Sequence, residues 1–331
     1  MGRVVIGEPE TVVIFAQEAD APVDAVVREL DRRGVEVFRA DTAWFPQHLS
    51  LEACLEGDGR WHGALFTEHR FVDLDDIASV WYRDPSSFQF PATLTEVERG
   101  YAHREARLGF GGVLAALPAI WVNHPNRAAD AMYKPLQLAT AAACGLSVAP
   151  TMVTNSPAAV SRFAREHGAG NVVCKSFGPN TVTEGGQLKI AYTRRLDEND
   201  LGQLDGVAST ATQLQRWVDK THEARVIVIG ERMFTVTITA SSPRARVDWR
   251  ADFTALSYGL IDTPPEVEKG LRRYMATLGL TYAAVDFAID RDRFWFLESN
   301  SSGQFGWLEA QTGAPITSAL ADLLTQPRGR P

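Results

Sequence analysis

From residue 12 to residue 117 the chain alternates short apolar runs with longer stretches whose apolar positions recur every three or four residues. Val12-Val13-Ile14-Phe15-Ala16 predicts a strand. Val23, Val26, Val27 and Leu30 mark one face of a helix that Gly34 ends. Further strands are predicted at 35–39, 63–66 and 77–82. A long helix over 95–117 follows, opening with the capping pattern Thr95-Glu96-Val97-Glu98. Strands that alternate with helices predict a largely parallel sheet covered on both faces. Inside the long helix, Gly109-Phe110-Gly111-Gly112 lacks both the GxGxxG spacing and a preceding strand, so it reads as close helix packing and not as a dinucleotide loop.

Beyond Pro118 the pattern changes, and residues 1–118 and 119–331 are expected to be separate units. A strand at 120–122 leads into a helical pattern over 128–144, which Pro135 divides. A helix at 156–167, a strand at 171–175 and a glycine-rich polar loop at 177–186 come next, then a segment at 212–218. Helices and strands continue to mix through this second part, after an α/β first unit. A hairpin at 224–240 turns at Gly230-Glu231, a helix covers 265–278, and another closes the chain near 316–324.

The most apolar hairpin, 283–298, carries its polar residues at one end. Asp286 shares a face with Ala284 and Ala288; Glu298 shares one with Phe294 and Phe296, and Asn300 follows. A turn centred on Asp292 sets Asp286 opposite Glu298. Two adjacent carboxylates in an apolar setting repel each other and are costly to desolvate. A hard divalent cation relieves both problems, and oxygen ligands point to Mg2+, with Mn2+ as the substitute. The plain alternative is a pair of acidic residues facing water.

Composition narrows the classes. With 331 residues, 45% hydrophobic and 22% charged, the chain can bury a large core. A formal net charge of -8 and the lack of a basic run argue against a nucleic-acid surface. Cys54, Cys144 and Cys174 include no CxxC pair, which argues against a disulfide framework or structural zinc and favours a reducing cytoplasm. No apolar run approaches bilayer-spanning length, the first strand is too short for a signal segment, and Ile6 breaks the myristoylation pattern after Met1-Gly2. A soluble cytoplasmic protein without membrane or nucleic-acid partners is expected.

Several cations stand where they would be costly without an anion. Lys175 ends an apolar strand just before the glycine-rich loop, which suits phosphate although GxxxxGK[ST] is absent. Lys134 precedes the helix-breaking proline. Gln215-Arg216-Trp217-Val218 reads either as a hinge offering backbone groups to a purine or as an amphipathic strand. Arg225 opens an apolar strand, with Glu223 as its nearest ion-pair partner. Surface exposure is the alternative for both lysines. No HExxH or GxSxG occurs, and Cys174 reads as a buried thiol.

Taken in order, these pieces resemble the ATP-grasp superfamily, and within it the MvdD-like peptide maturases that make graspetides of the microviridin type. The resemblance is carried by Val80-Trp81-Tyr82-Arg83, Tyr133-Lys134-Pro135-Leu136-Gln137-Leu138, Val173-Cys174-Lys175 and Gln215-Arg216-Trp217-Val218. It continues through Arg225-Val226, Val247-Asp248-Trp249-Arg250, Val285-Asp286-Phe287, Phe296-Leu297-Glu298-Ser299-Asn300 and Gly303-Gln304-Phe305-Gly306-Trp307. It implies an α/β pre-ATP-grasp domain over 1–118 followed by an ATP-grasp domain over 119–331, whose two α+β subdomains, a lid at about 145–216 and a catalytic part at about 217–325, close on ATP. Lys134 and Lys175 would hold phosphates, Gln215, Arg216, Trp217 and Val218 would line the adenine, and Arg225 would meet the transferred phosphate. Asp286, Glu298 and Asn300 would hold Mg2+.

The resemblance also implies that Asp248 and Arg250, an Asp-x-Arg motif, recognise a peptide side chain. The 178–186 loop would be a lid and 303–307 a wall beside the peptide. Tyr133 and Arg216 depart from the pattern, where a small polar residue and an acidic residue are expected. The implied reaction joins Asp or Glu side chains of a ribosomal precursor peptide (leader and core) to Ser, Thr or Lys through an acylphosphate, in a homodimer. An ATP-grasp ligase adding an amino acid to a small substrate is the alternative, and a non-catalytic nucleotide-binding regulator a third.

Overall fold

The computed structural model describes residues 10–168, 170–178, 181–185, 187–190 and 192–327. Pro179, Asn180 and Gly186 of the expected lid, the Met1-Gly2…Ile6 pattern and residues 328–331 lie outside them.

Four strands form the first sheet, in the order Val37–Ala40, Thr11–Ala16, Ile77–Arg83, Ile120–Val122, all parallel. Thr11–Ala16 is buried throughout because both faces are covered. Val12, Ile14 and Ala16 meet Val23, Val26 and Leu30 of the helix Ala21–Arg32, whereas Val13 and Phe15 meet Phe110, Val113 and Leu114 of the helix Glu96–Ala115. The Thr95–Glu98 capping box forms as expected.

Three expectations for this region need correction. The strand at 63–66 is Trp61–Phe66, and it pairs antiparallel with Ser50–Leu55 and Phe71–Asp73 in a separate three-stranded sheet. The strand at 120–122, expected to open the second unit, hydrogen-bonds to Ile77–Arg83 and completes the first sheet, so the division placed at 118 cuts through that sheet. A side chain on Gly109, Gly111 or Gly112 would meet open space, so those glycines are not there for close packing.

A six-stranded sheet forms the other large layer. Its order is Leu256–Ile261, Arg232–Ala240, His222–Ile229, Tyr282–Asp290, Arg293–Asn300, Ser147–Val148. Ile227, Ile229, Tyr282 and Ala284 share a core with the helix Ile316–Leu324 and with Val12, Ile14 and Trp81 of the first domain. The opposite face, Val226, Val228, Ala283, Val285 and Phe287, packs on the helices Lys134–Ala143 and Pro265–Leu278. The two layers are thus welded through one interior.

Between residues 151 and 216 a smaller antiparallel sheet runs Arg194–Arg195, Val172–Lys175, Thr212–Arg216, Thr151–Thr154. Val172 and Leu214 face Val160 and Phe163 of the helix Pro157–His167. The other face, with Val173, Lys175 and Gln215, is left for the cavity. The expected loop at 177–186 contains structure: Thr181–Glu184 pairs antiparallel with Gln187–Ile190.

Candidate active site

All twelve residues singled out by sequence line one cavity of about 850 Å³, enclosed by the small sheet on one side and the six-stranded sheet on the other. They are Lys134, Lys175, Gln215, Arg216, Trp217, Val218, Arg225, Asp248, Arg250, Asp286, Glu298 and Asn300.

The hairpin supplies the floor. Asp286 stands opposite Glu298, but the route to that pairing differs from the expected one. Asp290 pairs with Arg293, and an irregularity between Asp286 and Phe287 shifts the register by one residue. A regular ladder would set Leu297 against Asp286; the bulge re-aims Glu298 instead.

The carboxylates do not repel each other unrelieved, because each has a cation. Arg225 lies beside Asp286 on the neighbouring strand and binds it through two parallel bonds, Nε to Oδ1 at 2.7 Å and Nη2 to Oδ2 at 2.8 Å. Burial disfavours the Arg225 charge, and Asp286 overcomes it and holds the guanidinium's pKa up. The partner expected from sequence, Glu223, pairs with Lys220 instead. Burial raises the Glu223 pKa. Glu223 lines the cavity, and so does Lys220, which carries no motif that would single it out.

Glu298 pairs with Lys134 at 2.9 Å and lies 3.7 Å from Arg250. Burial would raise its pKa, but Lys134, Arg250 and Lys175 outweigh that and hold it well below the carboxylate range. Lys134 also donates to the Ser176 carbonyl at 2.8 Å, tying the small sheet to the hairpin. Pro135 starts the helix that carries Lys134. One turn on, Gln137 exchanges two bonds with the Ser299 backbone (2.8 and 2.9 Å), fixing the strand beside Glu298.

On the facing sheet, Lys175 donates to Gln215 Oε1 at 2.8 Å. Burial pushes its pKa down to about 8, and Glu298 only partly restores it. Gln215 is itself buried and donates to Thr151 at 3.0 Å. The segment expected as a hinge or an amphipathic strand begins as a strand. Thr212–Arg216 is a strand, and Trp217 and Val218 follow it at the cavity wall. The backbone N–H of Arg216 goes to Pro150 and that of Trp217 to Asn171, so neither is free for a purine.

Asp248 binds the Arg250 guanidinium through two bonds, at 2.9 and 3.1 Å, and also accepts from the backbone N–H groups of Arg250 and Thr193. Burial opposes ionisation of Asp248, yet Arg250 keeps its pKa lowered. Arg250 is 37% exposed and points its remaining nitrogen, Nη1, toward Glu298. Of the expected peptide wall, Gly303, Gln304 and Trp307 line the cavity, while Phe305 is fully buried in the core.

Among the described residues, no group of three or more His, Cys, Asp and Glu side chains is arranged to hold an ion. The candidate ligand set is two carboxylates and one amide, a hard-oxygen set that fits Mg2+. Both carboxylates now serve cations, so a metal must share or replace Lys134 at Glu298.

Two sheets facing a lysine-lined cavity, with Asp286 and Glu298 on a C-terminal hairpin, form the arrangement of the ATP-grasp fold. A family model for the MvdD pre-ATP-grasp domain matches residues 11–129. The fold is similar to a Chryseobacterium gregarium RiPP-associated ATP-grasp ligase, solved with ADP and a leader and core peptide, at 27% identity and a TM-score of 0.87 over 97% of this chain and 99% of that one. It is also similar to two Microcystis aeruginosa macrocyclases. MdnC, bound with precursor peptide MdnA, has 28% identity and a TM-score of 0.82 over 95% and 98% of the two chains. MdnB has 27% identity and a TM-score of 0.78 over 96% and 99%. Comparison with curated proteins gives no match. The chain shares its fold with these ligases, and its residues 11–129 match the MvdD pre-ATP-grasp domain.

Proposed function

We propose that the chain is an ATP-dependent peptide macrocyclase. It activates an Asp or Glu side chain of a ribosomal precursor peptide as an acylphosphate and joins it to a Ser, Thr or Lys side chain. The observation that carries this reading is the convergence of twelve residues on one cavity, with cations on both walls and a partly exposed arginine held by Asp248.

ATP is read into the cleft between the sheets, its base against Gln215, Arg216, Trp217 and Val218 and its phosphates toward Lys134 and Lys175. Asp286, Glu298 and Asn300 would hold Mg2+, which when bound draws charge from the phosphates. Arg225, locked by Asp286, offers a fixed positive charge to the transferred group. Arg250 meets the peptide carboxylate, and Asp248 holds the guanidinium in place, so little side-chain freedom is lost on binding. The carboxylate oxygen attacks the γ-phosphorus in line, and the bond to the β-phosphate oxygen breaks with release of ADP. The hydroxyl or amine then attacks the acyl carbon, loses its proton and expels phosphate, so each ring costs the peptide one water.

Hydrolysis of the acylphosphate competes, so the small sheet must close over it. The Lys134 bridge from Glu298 to Ser176 supports that part for the 145–216 region, and 217–325 supplies the catalytic surface. Three free thiols suit a cytoplasmic site, and a homodimer is the assembly proposed with this reading. Incubation with Mg-ATP and a precursor peptide tests the function: loss of one water per ring supports it, and an unmodified or heavier peptide contradicts it.

A further inference from the structure

The loop that leaves the hairpin is fastened through four consecutive carbonyl oxygens. Asn123 Nδ2 donates to Ser301 at 2.8 Å, Arg83 Nη1 to Ser302, the Tyr282 hydroxyl to Gly303 at 2.5 Å and Arg225 Nη1 to Gln304 at 3.2 Å. All four loop residues line the cavity. Gly303 leaves no room for a side chain between Ala284 and Asn300, so the loop lies hard against the hairpin that carries the acidic residues.

Two of the four donors come from the first domain. Arg83 ends one parallel strand and Asn123 directly follows the adjacent one, with Trp81 and Val122 paired between them. The C-terminal edge of that sheet therefore delivers both side chains to the loop together. Asn123 is fully used: it also donates to the Tyr282 carbonyl and accepts from the Thr281 and Tyr282 N–H groups.

Arg83 is placed differently. It is 2% exposed, and its Nε and Nη2 have no hydrogen-bond partner among the described residues. The carboxylate facing it, Asp20, is 3.7 Å away and caps the helix Ala21–Arg32 with its other oxygen. A buried guanidinium with unmatched donors is less stable than an apolar side chain of similar size. Stability therefore gives no reason for it; holding Ser302 does.

We propose that Arg83 is a positioning residue through which the pre-ATP-grasp domain sets the 301–304 loop against the bound substrate, so that the first domain acts on the chemical step. This rests on the ligase reading above. In that reading the loop adjoins Asn300 and Arg225, and a small displacement of it misaligns the reacting groups.

The full chain, as wild type, Arg83→Met and Arg83→Lys, is assayed with Mg-ATP and precursor peptide, and ADP affinity is measured separately. For Arg83→Met the ADP Kd stays within about twofold while kcat for ring formation falls about tenfold to a hundredfold. Arg83→Lys recovers part of that loss, since an ammonium can still donate one bond to Ser302. An unchanged kcat in Arg83→Met overturns the proposal, as does a loss of ADP binding that tracks the loss of ring formation. If Arg83→Met does not fold, Arg83→Lys decides: a reduced kcat with normal ADP affinity supports positioning, and a wild-type kcat overturns it. Ring formation absent from the wild type itself instead overturns the ligase reading, and this one with it.

Discussion

Glu298→Gln separates an electrostatic partner from a working ligand. The substitution keeps shape and removes one charge from a site where Lys134 lies at 2.9 Å and Arg250 at 3.7 Å. Removing one partner of a fully buried pair costs about 3–5 kcal/mol. Here the two side chains are 18% and 20% exposed and border a cavity, so the stranded Lys134 can be screened. The expected cost is therefore about 1–2 kcal/mol, a fall in Tm of a few degrees.

Because the folded pKa of Glu298 is depressed, its contribution is complete above the ordinary value of 4.5 and is lost as pH falls toward about 2. The Tm difference between wild type and variant should persist at neutral pH and shrink only below that value. ATP turnover should fall far more than stability, by roughly a hundredfold to a thousandfold, the loss typical when one preorganised electrostatic group is removed. The assay is ADP release at saturating Mg-ATP alongside thermal melts. Turnover within tenfold of wild type would show Glu298 to be only the partner of Lys134, and the metal assignment would fail.

Two further outcomes follow from the same geometry. Arg250→Ala should leave ADP affinity unchanged, because Lys134 and Lys175 remain, yet abolish peptide modification; normal modification would make the Asp248–Arg250 pair structural. The free enzyme's Lys175 pKa lies near 8, so kcat/KM for ATP should decline as pH rises through about 8 and the ammonium loses its proton. Lys175→Arg should remove that decline. The stability sign is opposite: a lysine pKa lowered by folding makes the fold gain stability as pH rises from about 8 toward the ordinary 10.5.

Much of the site could be read from spacing because strands convert sequence parity into faces. Asp286 with Ala284 and Ala288, and Lys175 with Val173, could be assigned in that way. Non-local partners could not. The Arg225–Asp286 pair joins residues 61 apart, and nothing local distinguishes it from the pairing with Glu223 that sequence favours. The hairpin gives a subtler case: the expected apposition of Asp286 and Glu298 is present, but a bulge that no residue pattern announced creates it.

In the first domain, the 63–66 run reads as a strand, but nothing local distinguishes the parallel sheet expected for it from the separate antiparallel sheet that Trp61–Phe66 joins. The short strand Ile120–Val122 follows a proline that reads as a boundary, yet three residues of pairing place it in the first sheet. Glycines within the helix Glu96–Ala115 suggested tight packing, and the surrounding space is open.

The proposed reaction has the cavity activate a peptide carboxylate and pass it to a second side chain of the same peptide. Mass spectrometry of a precursor peptide after incubation with the protein and Mg-ATP tests it most directly. The predicted result is a peptide lighter by one water for each ring, with one ADP released per ring. ADP release with no change in peptide mass, or a peptide heavier by an added amino acid, would contradict it.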